Sequence, residues 1–183
     1  MVADLDVALR EHPGKSMLCR LLVGVEAIPE RLLNAIDQAV PDLHIINGYG
    51  PTEATVCATL YTISPENELH ENTPIGRPVQ NMQIYLLDEA KQQVPAGSPG
   101  ELYIGGIGVA NGYLNRPDLT AESFIQDPFS DKNGARLYRT GDLARIMPDG
   151  NIEFIGRADF QVKFHGFRVE LGEIESQLRK HPA

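Results

Sequence analysis

Leu43-His-Ile-Ile-Asn-Gly-Tyr-Gly-Pro-Thr-Glu53 is the stretch on which the fold turns. Its first four residues, Leu43–Ile46, form an apolar run of strand character. No strand continues past Gly50-Pro51, because proline lacks the amide hydrogen that a ladder needs. Asn47–Glu53 is therefore a turn-rich segment at a strand end, the place where α/β sheets carry ligands. Upstream, Leu5, Ala8 and Leu9 share a helical face, and Met17–Val23 is a short apolar run. Leu32, Leu33, Ile36 and Val40 then recur at helical spacing after Pro29. The order reads as αβαβ.

The loop has chemistry of its own. Two glycines and a proline hold an irregular backbone whose amides, with the Thr52 hydroxyl, can donate to a phosphate, while Glu53 offers Mg²⁺ a hard oxygen. Thr52 followed by Glu53 reads equally well as an ordinary helix cap.

From about residue 75 the chain changes to short strands punctuated by Gly and Pro: Gln83–Leu87, Glu101–Gly105, Ala144–Met147 and Asn151–Ile155. Pro148-Asp-Gly150 joins the last two, which makes a β-rich unit. A hairpin over Gln161–Val169 follows, and then a helix with Leu171, Ile174 and Leu178 on one face and Glu175 paired with Arg179. Two stretches here also carry chemistry. In Tyr138-Arg-Thr-Gly-Asp-Leu143, Asp142 can accept from vicinal hydroxyls. In Gly156–Glu175, Arg157, Lys163, His165 and Arg168 gather positive charge, on what is otherwise a solvated hairpin face.

Composition removes other classes. The 183 residues carry 25 acidic against 16 basic side chains, a net charge of -9, with 42% apolar residues. Nucleic-acid backbones demand the opposite balance, so no nucleic-acid surface is expected. Cys19 and Cys57 have neither zinc nor redox spacing and fit a reduced, cytoplasmic interior. The N-terminus lacks the pattern of a secretory signal, and no window approaches the roughly 18 apolar residues of a membrane span. Gly14-Lys-Ser16 lacks the upstream glycine of a P-loop, and Gly105-Gly-Ile-Gly108 lacks the third glycine of a dinucleotide fingerprint and is read as close backbone approach. His12, His44, His70, His165 and His181 show no metal-ligand spacing.

Taken together the stretches resemble adenylate-forming ligases, specifically the adenylation (AMP-binding) domains of nonribosomal peptide synthetases. The matching phrases are Asn47–Glu53, Gly100-Glu-Leu-Tyr-Ile-Gly-Gly106 with Gly112-Tyr-Leu114, Tyr138–Leu143, Gly156-Arg-Ala-Asp-Phe-Gln-Val-Lys163 and Gly166–Glu175. Leu22-Val-Gly-Val-Glu-Ala27 resembles a further strand of the family, with Val25 in place of a glycine.

The resemblance implies ATP-dependent formation of an aminoacyl-adenylate and transfer of the acyl group to a phosphopantetheine thiol on a carrier-protein partner, with Mg²⁺ as cofactor. It places Asn47, Gly48 and Tyr49 at adenine, Thr52 at phosphate, Glu53 at the metal, Asp142 at the ribose, and Phe154 and Arg157 on the opposite side. Leu22, Gly24, Gly48, Val56 and Cys57 line the substrate pocket, whose small or apolar character points to a neutral amino acid. Asp159 is the hinge, Lys163 faces the site during thiolation, and Gly166 lies beside the pantetheine path. The catalytic set is then Thr52, Glu53 and Lys163.

The implied fold is a partial one. Residues 1–75 form the end of an α/β subdomain, 76–156 a distorted β-barrel subdomain, 157–159 the hinge, and 160–183 the start of a mobile α+β C-terminal subdomain. The family's Ser/Thr/Gly-rich phosphate loop, its substrate-pairing Asp and its late Lys have no counterpart, and Asn111 stands where Arg is usual. The chain is therefore expected to be a segment of a larger enzyme and inactive by itself. A fatty-acyl or aryl CoA ligase of the same superfamily and a non-catalytic nucleotide-binding or scaffolding module are the alternatives.

Overall fold

The computed structural model describes residues 2–11, 17–24, 26–40, 42–64, 69–158, 161–164, 167–170 and 178. Helix α1 (Val2–Glu11), strand β1 (Arg20–Gly24), helix α2 (Glu30–Ala39) and strand β2 (His44–Tyr49) follow in that order. β1 and β2 are parallel, with Leu22 opposite Ile46 and Gly24 opposite Gly48. Parallel pairing needs a crossover, which α2 supplies. Its Leu33 and Ile36 are fully buried and pack with Leu9, Ile28, Val40, Leu43, Ile45, Tyr61 and Ile63 into a first core.

β2 runs farther than the turn residues imply, since Asn47, Gly48 and Tyr49 all belong to it. The reason is a partner the sequence concealed: β3 (Thr59–Thr62) pairs antiparallel along them, Asn47 against Tyr61 and Gly48 against Leu60. In β3 the polar Thr59 and Tyr61 point inward and Leu60 outward, so no apolar alternation advertises the strand. β4 (Arg77–Pro78) completes this sheet in the order β1-β2-β3-β4.

A second sheet contains β5 (Met82–Leu87), β6 (Gly100–Gly106), β7 (Phe124–Gln126), β8 (Arg136–Ile146) and β9 (Ile152–Arg157), with a short helix α3 (Pro117–Ser123) before β7. Its order is β5-β6-β8-β7, and β9 also pairs with β8. β8 absorbs the whole Tyr138–Leu143 motif, which the sequence placed ahead of a strand beginning at Ala144. Gly141, at φ 72°, supplies a left-handed residue in mid-strand, and the β8–β9 register shifts between Leu143 and Ala144. Such an irregularity re-aims side chains without ending a strand. The Gly105-Gly106 pair is indeed a close approach, because a Cβ on Gly106 would lie 2.2 Å from the Asn81 carbonyl.

The second core holds Ala54, Ala58, Ile75, Met82, Leu86, Leu102, Ile104, Ala144 and Ile152, so the residues just after the signature loop belong to it. The segment after β3 joins the sheets: Ile75 N–H donates to the Ile152 carbonyl and Ile152 N–H to that of Gly76, both at 2.8 Å. Two final strands, β10 (Gln161–Phe164) and β11 (Phe167–Glu170), form an antiparallel pair with Lys163 opposite Arg168. Asp159, His165, Gly166 and the helix expected over Leu171–Arg179 lie outside the described residues, Leu178 excepted. Among the described residues no helix is long and apolar enough to cross a membrane.

Candidate nucleotide and substrate site

Three of the sequence motifs meet at one carboxylate. Tyr49, from the end of β2, donates its hydroxyl to Asp142 Oδ2. Arg157, from the end of β9, donates Nη1 to Asp142 Oδ1 at 2.7 Å and to the Thr140 carbonyl at 3.0 Å. Asp142 is only 6% exposed, and its own N–H donates to Thr140 Oγ at 2.9 Å. Thr140 in turn donates to the Leu102 carbonyl at 2.7 Å, which anchors the irregular stretch of β8 to β6. Burial first, and the Asp142 charge second, push the Tyr49 phenol well above its ordinary value, so it remains a donor. A carboxylate has about four lone-pair sites, so Asp142 keeps acceptor capacity beside these two partners.

Asn47 is buried, and its side-chain amide donates to the Pro74 carbonyl at 2.8 Å. Thr52–Ala54 form a single 3₁₀ turn after Pro51, with no side-chain cap, so Thr52 is an exposed first residue and not a helix cap. The chain then passes through Thr55 (φ 59°) and Val56 (φ 70°), two consecutive left-handed residues. A β-branched residue in that region is strained, and the surroundings must hold it. They do: Val56 N–H donates to the Pro51 carbonyl at 3.2 Å, and Thr55 Oγ to that of Gly108 at 2.7 Å. Glu53 accepts the Tyr113 hydroxyl on Oε1 at 2.6 Å.

The sequence-derived pocket residues mostly converge. A Cβ on Gly48 would sit 3.2 Å from both Cys57 Sγ and Leu22 Cδ1, and one on Gly24 would sit 2.2 Å from the Gly48 carbonyl. Leu22 and Val56 are 61% and 65% exposed, and Cys57 is half-buried. Phe154 packs against the second core three residues before Arg157 on β9. Lys163 lies on β10. Thr140 and Tyr113 carry no role in the sequence reading, because the contacts that give them one, Thr140 with Leu102 and Tyr113 with Glu53, join residues distant in the chain.

Comparison with known proteins gives a consistent picture. The family described as AMP-binding enzyme matches residues 2–114. The chain is 52% identical over 163 residues to malpinin synthetase of Mortierella alpina, covering 88% of this chain and 2% of that protein. It is 50% identical over 178 residues to tyrocidine synthase 3 of Brevibacillus parabrevis, covering 96% and 3%. The chain thus spans only a few hundredths of the length of these relatives. Among solved structures, a holo NRPS protein containing adenylation and PCP domains, bound to a vinylsulfonamide inhibitor, superposes with a TM-score of 0.87 at 32% identity, covering 99% of this chain and 32% of that one. The Vibrio cholerae adenylation domain AlmE, in complex with glycyl-adenosine-5'-phosphate, gives a TM-score of 0.80 at 30% identity over 98% of this chain and 34% of that one.

Proposed function

The chain belongs to the AMP-binding enzyme family, and from that premise we propose that it is part of an ATP-dependent enzyme that activates an amino acid as its aminoacyl-adenylate. The acyl group then passes to the phosphopantetheine thiol of a peptidyl carrier domain, a step of nonribosomal peptide synthesis in the cytoplasm. The names of the relatives, and the adenylation and PCP domains of a similar structure, support the amino-acid substrate and the carrier partner. The observation that carries the reading is the meeting of Tyr49, Arg157 and Asp142, drawn from three sequence motifs, at one buried carboxylate.

Asp142 accepts the vicinal ribose hydroxyls with the capacity that Tyr49 and Arg157 leave it. Tyr49 offers its ring to adenine while its hydroxyl is fixed, Asn47 and Gly48 complete that edge, and Phe154 and Arg157 line the other side. Thr52 donates to a phosphate oxygen. Glu53 supplies one hard carboxylate oxygen, which suits Mg²⁺, an ion that takes one or two protein carboxylates and completes its shell with substrate phosphates. When bound, the ion neutralises charge on the phosphates.

In the full-length enzyme the amino-acid carboxylate attacks the α-phosphate of ATP: a new P–O bond forms, the bond from the α-phosphorus to the bridging oxygen breaks, and pyrophosphate leaves, while Asp142, Tyr49 and Thr52 hold the nucleotide. Positioning contributes most to such a transfer. Lys163 acts in the later transfer to the thiol, which Gly166 admits after rotation at Asp159. The units are residues 1–75, 76–156, 157–159 and 160–183. The pocket formed by Leu22, Gly24, Gly48, Val56 and Cys57 selects a neutral side chain. Amino-acid-dependent exchange of pyrophosphate into ATP, run on the full-length protein with amino, fatty and aryl acids, tests this. Exchange with a neutral amino acid is predicted; exchange only with fatty or aryl acids, or a preference for Asp, Glu or Lys, contradicts it.

A further inference from the structure

The segment between β6 and α3 is clamped onto the signature turn at three points. Ala110 N–H donates to the Glu53 carbonyl at 2.8 Å, Thr55 Oγ donates to the Gly108 carbonyl at 2.7 Å, and the Tyr113 hydroxyl donates to Glu53 Oε1 at 2.6 Å. The first of these bonds fixes the backbone of the turn, and the other two fix the Thr55 and Glu53 side chains. Tyr113 is itself held on both flanks. Its N–H donates to Thr120 Oγ at 2.9 Å, and its ring stands edge-on to Phe124 with centroids 5.5 Å apart. Thr120 also donates to the Arg116 carbonyl at 2.8 Å, so the support reaches into the start of α3.

A carboxylate on a surface turn ordinarily samples several rotamers, and freezing them on ligand binding costs conformational entropy. Here one oxygen of Glu53 is already fixed by a donor mounted on a separate element. We infer that Tyr113 is a positioning residue that holds the Glu53 carboxylate in the orientation in which it receives the metal of a metal–nucleotide complex. Hydrogen-bonded supports of metal-binding carboxylates act in this way, orienting the ligand before the ion arrives.

The inference rests on the nucleotide-activating reading given above. Its test is the Tyr113→Phe variant of the full-length protein, compared with wild type in two measurements. The first is Mn²⁺ binding in the presence of a nonhydrolysable ATP analogue, followed by electron paramagnetic resonance. The second is the Mg²⁺ dependence of pyrophosphate exchange. The variant is predicted to bind Mn²⁺ about tenfold more weakly, the lower end of the range for lost supports of a metal ligand. Its Mg²⁺ requirement should rise in parallel, with the amino-acid KM and the melting temperature near those of wild type. In a Glu53→Gln background, Tyr113→Phe should change Mn²⁺ binding no further. Unchanged Mn²⁺ affinity with a lowered melting temperature, or a variant that does not fold, would make Tyr113 a structural residue and overturn the inference. If wild type shows no exchange with any acid, the proposed function fails, while the Mn²⁺ comparison still decides the role of Tyr113.

Discussion

Glu30 and Asp142 are both buried carboxylates that accept a tyrosine hydroxyl, yet they sit in different settings. Glu30, at the start of α2, is fully buried; its Oε1 accepts from Tyr61 at 2.8 Å, and its Oε2 accepts the His70 N–H and lies 2.8 Å from His70 Nδ1. These partners join the segment after β3 to the first core, next to Thr73, which donates both its N–H and its hydroxyl to the Ile28 carbonyl. Asp142 instead binds one residue from each of two sheets, Tyr49 of β2 and Arg157 of β9. The same pairing of carboxylate and phenol therefore fastens one core at Glu30 and spans a junction at Asp142. Only at the junction do residues of several motifs face a common acceptor.

The contrast can be broken by substitution, and the largest effect is expected at Glu30. Glu30→Ala leaves the Tyr61 hydroxyl and the His70 donors without their acceptor, and should lower unfolding free energy by about 3 kcal/mol or more. Urea denaturation measures this; a loss below about 1 kcal/mol would show that the cluster does not fasten the core. Asp142→Ala also leaves the Tyr49 hydroxyl and Arg157 without their acceptor and so lowers stability, but what sets it apart from Glu30→Ala is a penalty of about 2 kcal/mol on nucleotide use for lost charge-assisted bonds. Gly48→Ala sharpens the comparison on the substrate side. The added methyl meets the ends of three side chains, those of Cys57, Leu22 and Leu60, and not backbone, so the fold should tolerate it. KM for the preferred amino acid should rise roughly tenfold, and by more than that for ATP, because the added methyl points at the pocket side chains Cys57 and Leu22 and one methylene in a pocket is worth about 1–3 kcal/mol. A rise confined to ATP would contradict the pocket role of Gly48.

The smallest effect is a pH dependence. The folded-state pKa of Tyr49 is raised from 10.0, so the neutral phenol is favoured by folding. Its contribution to stability is complete below the unfolded value and declines as pH climbs from there toward the folded one. Tyr49→Phe should therefore lose less stability than wild type above about pH 10, read from unfolding midpoints. Parallel alkaline limbs would contradict the burial argument.

Much of this was legible in the residues themselves. The helical spacing of Leu33, Ile36 and Val40 marked α2, and the signature loop marked the strand end. What was hidden depended on contacts between distant parts of the chain. Tyr49 and Asp142 are 93 residues apart, so their bond leaves no local pattern. Glu30 reads as an ordinary acidic first turn of a helix until His70, 40 positions later, covers it. β3 escaped because its buried positions are Thr59 and Tyr61, and β8 looked interrupted because Gly141 bends a strand that continues on both sides.

The most direct test of the account compares the ATP KM of Asp142→Ala with that of Glu30→Gln in pyrophosphate exchange by the full-length protein. Asp142→Ala should raise it by roughly 10- to 100-fold, the span of one or two charge-assisted hydrogen bonds, and Glu30→Gln should leave it unchanged while lowering the unfolding midpoint. An ATP KM that is the same in Asp142→Ala as in wild type, or that moves equally in both variants, would contradict the assignment of the Tyr49–Asp142–Arg157 junction to the nucleotide.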